Sequence, residues 1–302
     1  EDMAIQNYIF GVWKKVAESY GYVEYGASIL EPAELYRNKT SEEIVNEQTF
    51  SFVDRGDREV VLRPEMTPTL ARMVAARRRN LKFPIRWYSI PNLFRYEKPQ
   101  RGRKREHWQL NCDIMGEPGI KAEIEIISLV YAIMESFGAK ETDFEIRIND
   151  RKAPMKGIKE RNKQITSEQE QKLLRLRDKK DKISEEEYVK EMGLIIDEVV
   201  DLESEESDDT KTLIQKLNDE GIKNAVFDPN LTRGFDYYTG IVFEVFDTHS
   251  DNKRSLFGGG RYDNLLELFD VEAVPAVGFG MGDITMKDFL ETHKLPNHQR
   301  SV

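Results

Sequence analysis

Cysteine is nearly absent from this 302-residue chain. Cys112 stands alone, which excludes an intramolecular disulfide and any metal site built on several thiolates, and it fits a reducing compartment. No stretch approaches the ~18 consecutive apolar residues of a membrane span. The opening Glu1-Asp2-Met3 has neither the basic flank nor the apolar core of a signal peptide, so a soluble, cytoplasmic chain is expected. Walker and dinucleotide-binding fingerprints are missing as well, because Gly258-Gly259-Gly260 has the wrong spacing for either. What is present, 39 % apolar and 33 % charged residues, is too apolar for disorder and long enough to fold around a core without staples.

The net charge of −10 by itself argues against a polyanionic partner. Its distribution argues the opposite. From Arg72 to Arg105 twelve lysines and arginines face one acid, Glu97. A concentrated basic segment in an acidic chain marks a local site for phosphate, nucleotide or RNA, the alternative being a solvated basic face.

Apolar positions Ile5, Ile9, Val12, Val16 and Tyr20 share one face of a helix over 3–20 that Gly21 ends. A second helix over 67–79 starts at a Thr-Pro pair suited to capping, and a strongly apolar third runs from Ala122 to Phe137 before Gly138. Strands are expected at 60–62, 85–90, 225–227, 241–246 and 277–282, with an antiparallel hairpin over Asn92–Gly116 around the polar loop 97–103. Gly258–Gly260 reads as leading into a helix at 261–269. Residues 151–220 carry 34 charges and one aromatic, Tyr188, which predicts a helical insertion over 151–224 whose acidic run, Asp201–Asp209, has little reason to pack. The whole is α+β, an antiparallel sheet flanked by helices.

Three clusters carry chemistry. Arg95 and Glu97 precede a basic loop, Arg101 to Arg105, that suits a phosphate-bearing ligand, because a strand-mounted guanidinium presents its planar fork in a fixed direction. Leu231–Gly240 brings an arginine, an aspartate and paired tyrosines ahead of a strand, either as a polar pocket or as a turn with half-buried rings. Phe257–Asp263 places three glycines where backbone can approach a ligand closely, or where strands simply pack tightly.

Taken in order, these clusters resemble the histidyl-tRNA synthetase family of class II aminoacyl-tRNA synthetases. Arg63-Pro64-Glu65-Met66-Thr67 is similar to that family's amino-acid loop, and Phe94–Asp113 resembles class motif 2. Arg233–Tyr238 and Gly259–Asp263 resemble the two histidine-specific signatures, and Val274–Gly282 the start of motif 3. The resemblance implies a class II synthetase-type sheet, with 1–150 and 225–290 as catalytic core, 151–224 as insertion and 291–302 as a tail or linker to an absent anticodon-binding domain, hence a catalytic fragment. It implies ATP, with Mg²⁺ carried on the substrate and no protein-held metal, L-histidine and tRNA(His) as substrates, and a homodimer. Histidine binding falls to Glu65, Met66, Thr67, Gln109, Asp113, Tyr237 and Tyr238. ATP binding falls to Arg95, Glu97, Arg103, His107 and Arg233, with Arg95 and Arg233 as the catalytic pair flanking the α-phosphate.

Four positions depart from the family pattern. Ser28 stands where motif 1 has proline, His107 where a phenylalanine stacks on adenine, Asp113 where glutamate is common, and Thr285 where motif 3 has arginine. For the last, either Lys287 or one of Arg101, Arg103 and Arg105 substitutes or ATP binds differently here, and His107 is expected to be able to gain charge. The resemblance admits a rival, a non-catalytic histidine-sensing regulatory subunit of ATP phosphoribosyltransferase. Arg95, Glu97 and Arg233 speak against that rival, and Thr285 speaks for it.

Overall fold

The computed structural model describes residues 2–37, 48–98, 100–161, 165–177, 179–180, 183–196, 205–232, 237–252 and 254–297. The first helix, Asp2–Ser19, buries Ile5, Ile9, Trp13, Val16 and Ala17 on one stripe. It ends at Gly21, whose φ of +81° only glycine adopts without strain. The apolar helix Lys121–Ser136 ends the same way ahead of Gly138, φ +89°. The helix Thr67–Arg77 does carry proline in its first turn, but its cap position is Met66 and no side chain caps it.

Twelve strands follow in chain order: β1 (Val23–Glu24), β2 (Leu30–Pro32), β3 (Phe50–Val53), β4 (Glu59–Leu62), β5 (Ile85–Ser89), β6 (Asn92–Phe94), β7 (Glu106–Met115), β8 (Phe144–Asp150), β9 (Ala225–Phe227), β10 (Ile241–Asp247), β11 (Ser255–Arg261) and β12 (Ala276–Gly282). A small sheet has the order β2-β4-β3. The large one has nine strands, ordered β1-β5-β7-β12-β11-β10-β8-β9 with β6 paired on β7. It is antiparallel except at its two edges, where β1 runs parallel to β5 and β9 parallel to β8. The fold is therefore α+β, as expected. The glycines 258–260 lie inside β11 rather than before a helix, and only a short 3₁₀ turn, Leu265–Phe269, follows. Gly259 and Gly260 serve close packing: a Cβ on Gly259 would sit 2.1 Å from the Gly278 carbonyl oxygen, and one on Gly260 would sit 2.9 Å from the Tyr238 ring.

Strand alternation decides what the large sheet shows to each side. On β7, Leu110, Cys112 and Ile114 enter the main core. That core also receives Ile9 and Trp13, Ile126 and Val130, and Phe289 from the helix Asp283–Thr292. The intervening Gln109, Asn111 and Asp113 point the other way.

Within 151–224 the helices Ala153–Arg161, Ser167–Arg177 and Glu185–Gly193 enclose a separate small core of Met155, Ile158, Leu173, Leu176, Tyr188, Met192 and Ile196. The helix Asp208–Asp219 does not join it. Its Leu213 and Leu217 are fully buried in the main core, so the helical subdomain ends ahead of Asp208 rather than at 224. Of the acidic run, 201–204 lie outside the described residues, while Asp208 and Asp209 occupy the first turn of that helix behind its Ser207 cap. Carboxylates there favour the positive end of the helix dipole. Among the described residues no helix is long and apolar enough to cross a membrane.

Candidate active site

The polar face of β7 forms the floor of a cavity of about 370 Å³. His107, Gln109, Asn111 and Asp113 line it at every second residue, and β12 faces them with Gly278, Gly280 and Gly282. These glycines are the reason the space exists. A Cβ on Gly278 would lie 2.0 Å from an Asp113 carboxylate oxygen, and one on Gly280 would lie 2.8 Å from the Gln109 side chain.

The loop 63–67 is held over one end by buried Arg63. Its guanidinium donates to the carbonyls of Asn92 (3.0 Å) and Ala27 (2.9 Å) and to the Asn92 side chain (3.1 Å). Arg95 Nε donates to the Pro64 carbonyl at 2.9 Å, and the Tyr36 hydroxyl to the Glu65 carbonyl at 3.2 Å. Glu65 is thereby fixed 3 % exposed in the cavity wall. One of its carboxylate oxygens accepts from the Tyr237 hydroxyl at 3.1 Å, and the other, Oε1, is buried with no partner. Burial pushes its pKa up to about 7 against the opposing pull of Arg95 and Tyr237.

Asp113 lies deeper. Its carboxylate accepts from the Tyr262 hydroxyl at 2.5 Å, and burial raises its pKa to about 7. Tyr262 follows β11, and two features fix it there. The neighbouring Arg261 forms a bidentate ion pair with buried Glu123, at 2.5 and 2.6 Å. The Thr239 amide donates to the Arg261 carbonyl at 2.8 Å. The same zipper sets Tyr238 in the wall, its ring 4.9 Å from that of Tyr237.

The other end of the cavity is basic. Arg95, Arg103 and Lys104 line it, with Glu97 3.6 Å from Arg103. His107 is mostly shielded from water, and burial together with Arg95 drives its pKa down to about 3. It is a neutral ring at physiological pH, so the expected capacity to gain charge is absent, because desolvation and a neighbouring cation both oppose protonation.

One wall therefore unites Glu65, Thr67, Arg95, Glu97, Arg103, His107, Gln109, Asp113, Tyr237 and Tyr238. Met66 is not part of it. It is 1 % exposed at the cap position of its helix and does not reach the cavity lining. Arg233 lies outside the described residues. Lys287 is corrected as well: it pairs with Asp2 at 2.6 Å and does not line the cavity. Neither do Arg101, which bonds Asp288, nor Arg105, which stacks 4.2 Å over the Tyr96 ring. Lys104 of the basic loop and Tyr262 of the second signature line the cavity too, though neither was named as a site residue, and Asn111 and Glu244, which no motif covered as chemistry, join them. The tyrosine of Gly-Gly-Arg-Tyr-Asp was within reach of motif reasoning, whereas Glu244 gave no local signal.

An acidic end with an unpartnered carboxylate oxygen and a basic end in one cavity suit an ammonium at the first and phosphates at the second. The family model described as histidyl-tRNA synthetase matches residues 10–204 and 194–283. A curated histidine–tRNA ligase of Leptospira biflexa is 45 % identical over 98 % of this chain and 73 % of its own length. Among solved structures, a histidyl-tRNA synthetase from a Nostoc species superposes with a TM-score of 0.72 at 23 % identity, covering 97 % of this chain and 72 % of that one. A Bacillus halodurans protein described as an ATP phosphoribosyltransferase regulatory subunit/histidyl-tRNA synthetase gives 0.71 at 24 %, covering 95 % and 79 %. The two structures speak for the fold. With the identity to the Leptospira relative and the family match across most of the sequence, the chain belongs to the histidyl-tRNA synthetase family.

Proposed function

We propose that this chain activates L-histidine with ATP and transfers it to tRNA(His). The observation that carries the reading is the partnerless Oε1 of Glu65, buried in the same cavity wall as Arg95 and Arg103. A buried acceptor without a partner is costly unless a ligand supplies the donor, and an α-ammonium flanked by Thr67 and Gln109 is such a donor. Asp113 and Tyr238 then read the imidazole edge, with Tyr262 orienting Asp113.

The histidine carboxylate attacks the α-phosphorus of ATP in line. A bond forms from carboxylate oxygen to phosphorus, the bond to the bridging oxygen breaks, and pyrophosphate leaves with both electrons of that bond. Mg²⁺ enters with ATP as part of the substrate. Arg95 presents its fork to the phosphorus, with Arg233 as the proposed second cation, and stabilises the charge that develops there. The neutral His107 ring offers a stacking surface for adenine, and Glu97 sits beside it. In the second step a terminal ribose hydroxyl of tRNA attacks the adenylate carbonyl and AMP departs. No side chain acts as nucleophile, so positioning supplies most of the rate.

Histidine-dependent exchange of labelled pyrophosphate into ATP tests this directly. Exchange is expected, and its absence with retained histidine binding is the result that favours the regulatory-subunit reading. Gly278→Ala is expected to destabilise the fold by about 1–3 kcal/mol by overpacking and to raise the KM for histidine, because the new methyl occupies the place of the Asp113 carboxylate. A thermal melt and a histidine titration check it.

We also infer a homodimer built on the small sheet. Supporting it, Leu30 and Phe52, which share one face of that sheet, are 46 % and 48 % exposed, apolar surface of the kind that marks an interface. Phe52→Glu is expected to convert a dimer to a monomer in light scattering, and an unchanged mass discards that face.

A further inference from the structure

The helix Asp283–Thr292 carries Thr285 in its first turn, where the family pattern has a cation. The Thr285 hydroxyl is turned back onto the Gly282 carbonyl at 3.1 Å, so it brings no charge to the cavity it lines. One turn further on, the same helix presents an acid. Asp288 accepts from Arg101 Nε at 3.0 Å through one carboxylate oxygen and from the Arg254 guanidinium through the other. Arg254 in turn donates to the Arg101 carbonyl at 2.7 Å. Gly102 lies against that guanidinium so closely that a Cβ there would sit 2.4 Å from it, and its φ of +74° suits glycine alone. Arg101 reaches the Asp251 carbonyl as well, at 3.3 Å. The residues directly beyond this knot, Arg103 and Lys104, are the loop cations that line the cavity.

We propose that Asp288 is a positioning residue for the triphosphate: by gathering Arg101 and Arg254 it pins the basic loop so that Arg103 and Lys104 face the cavity, and the helix that lacks the cation delivers two through the loop. The proposal rests on the cavity taking ATP. The chemistry is consistent on both sides. Asp288 is 17 % exposed and holds two guanidinium groups at once, a geometry a lone surface pair does not reach. The tether joins three segments distant in sequence, so it restricts the loop without touching the reacting atoms. Lys104 lines the cavity, whereas Lys287 is engaged by Asp2 and does not reach its lining.

The test compares the parent chain with Asp288→Asn, Asp288→Glu and Arg101→Ala in histidine-dependent pyrophosphate exchange and in amide hydrogen exchange at 101–104. Asp288→Asn and Arg101→Ala are expected to raise the KM for ATP about tenfold, with kcat and the KM for histidine within about twofold, a split that general destabilisation does not produce. Asp288→Glu is expected to recover most of the loss, and the loop amides are expected to exchange about tenfold faster in the two damaged variants. An ATP KM within about twofold of the parent overturns the proposal whether or not the loop exchanges faster, and so does an equal rise in both KM values. Should the parent chain show no pyrophosphate exchange, the activity reading fails separately. The loop amides then decide the tether alone: faster exchange in the variants supports it, and unchanged exchange overturns it.

Discussion

Replacing Arg95 by lysine is expected to slow histidine-dependent pyrophosphate exchange about a thousandfold, with the loss in kcat rather than in the KM for ATP. Lysine keeps the charge but not the planar fork, and the fork has two tasks. Its Nε donates to the Pro64 carbonyl at 2.9 Å, which holds the loop bearing Glu65, and its terminal nitrogens remain for the phosphate. An ammonium has one centre and does not serve both directions. Loss of the bond to the Pro64 carbonyl loosens the loop that bears Glu65, so a small rise in the KM for histidine accompanies the rate loss. The measurement is initial exchange velocity across an ATP titration. A decrease smaller than about fivefold removes Arg95 from the transition state.

Asp113→Asn is expected to reduce kcat/KM for histidine by about a thousandfold and, above neutral pH, to make the fold more stable. The first effect follows from polar readout: an amide offers one oxygen, already engaged by Tyr262, and a donor where the imidazole N–H needs an acceptor. The second follows from linkage. The folded pKa of Asp113 is about 7, above the ~3.9 of an unfolded aspartate, so the native state holds the proton longer. Burial therefore carries no penalty below about pH 4, a growing one as pH rises toward 7, and a full one of a few kcal/mol beyond it. The variant removes that penalty, so its melting temperature is expected to exceed the parent's by about 4 °C at pH 8 and to converge with it only near pH 4. Melts at the two pH values check the sign. A variant less stable at pH 8 shows that Asp113 is not held against its own ionisation.

Particular residues show where sequence reasoning reached and where it stopped. The helix ending at Gly138 and the alternation along β7 rest on period and on left-handed backbone, properties the chain carries locally. That Gln109 and Asp113 face the cavity while Cys112 enters the core follows from the strand period once β7 is in place. Gly258–Gly260 misled because a glycine run is as compatible with a strand packed too closely on its neighbour to admit a Cβ as with a loop. The helix Asp208–Asp219 was assigned to the charged insertion by composition, yet it joins the main core through only a few buried side chains, Leu213 and Leu217 among them. Composition averages over a helix, whereas packing uses one stripe of it. Lys287 was one of the cations offered in place of the arginine missing at Thr285, but two positions along a helix turn a side chain most of the way to the opposite face.

By itself the sequence determined the family, the α+β class, the order of the motifs and a set of polar residues that the cavity brings together, because motif spacing and strand period are local. Only the tertiary structure decided that Tyr262 meets Asp113 across 149 positions of chain, that one carboxylate oxygen of Glu65 is left without a donor, that His107 stays neutral and that Arg103 and Lys104 are the loop cations lining the cavity. Each of these depends on burial and on strand register between distant segments. Desolvation and a hydrogen bond of 2.5 Å are properties of a place, and the fold creates the place.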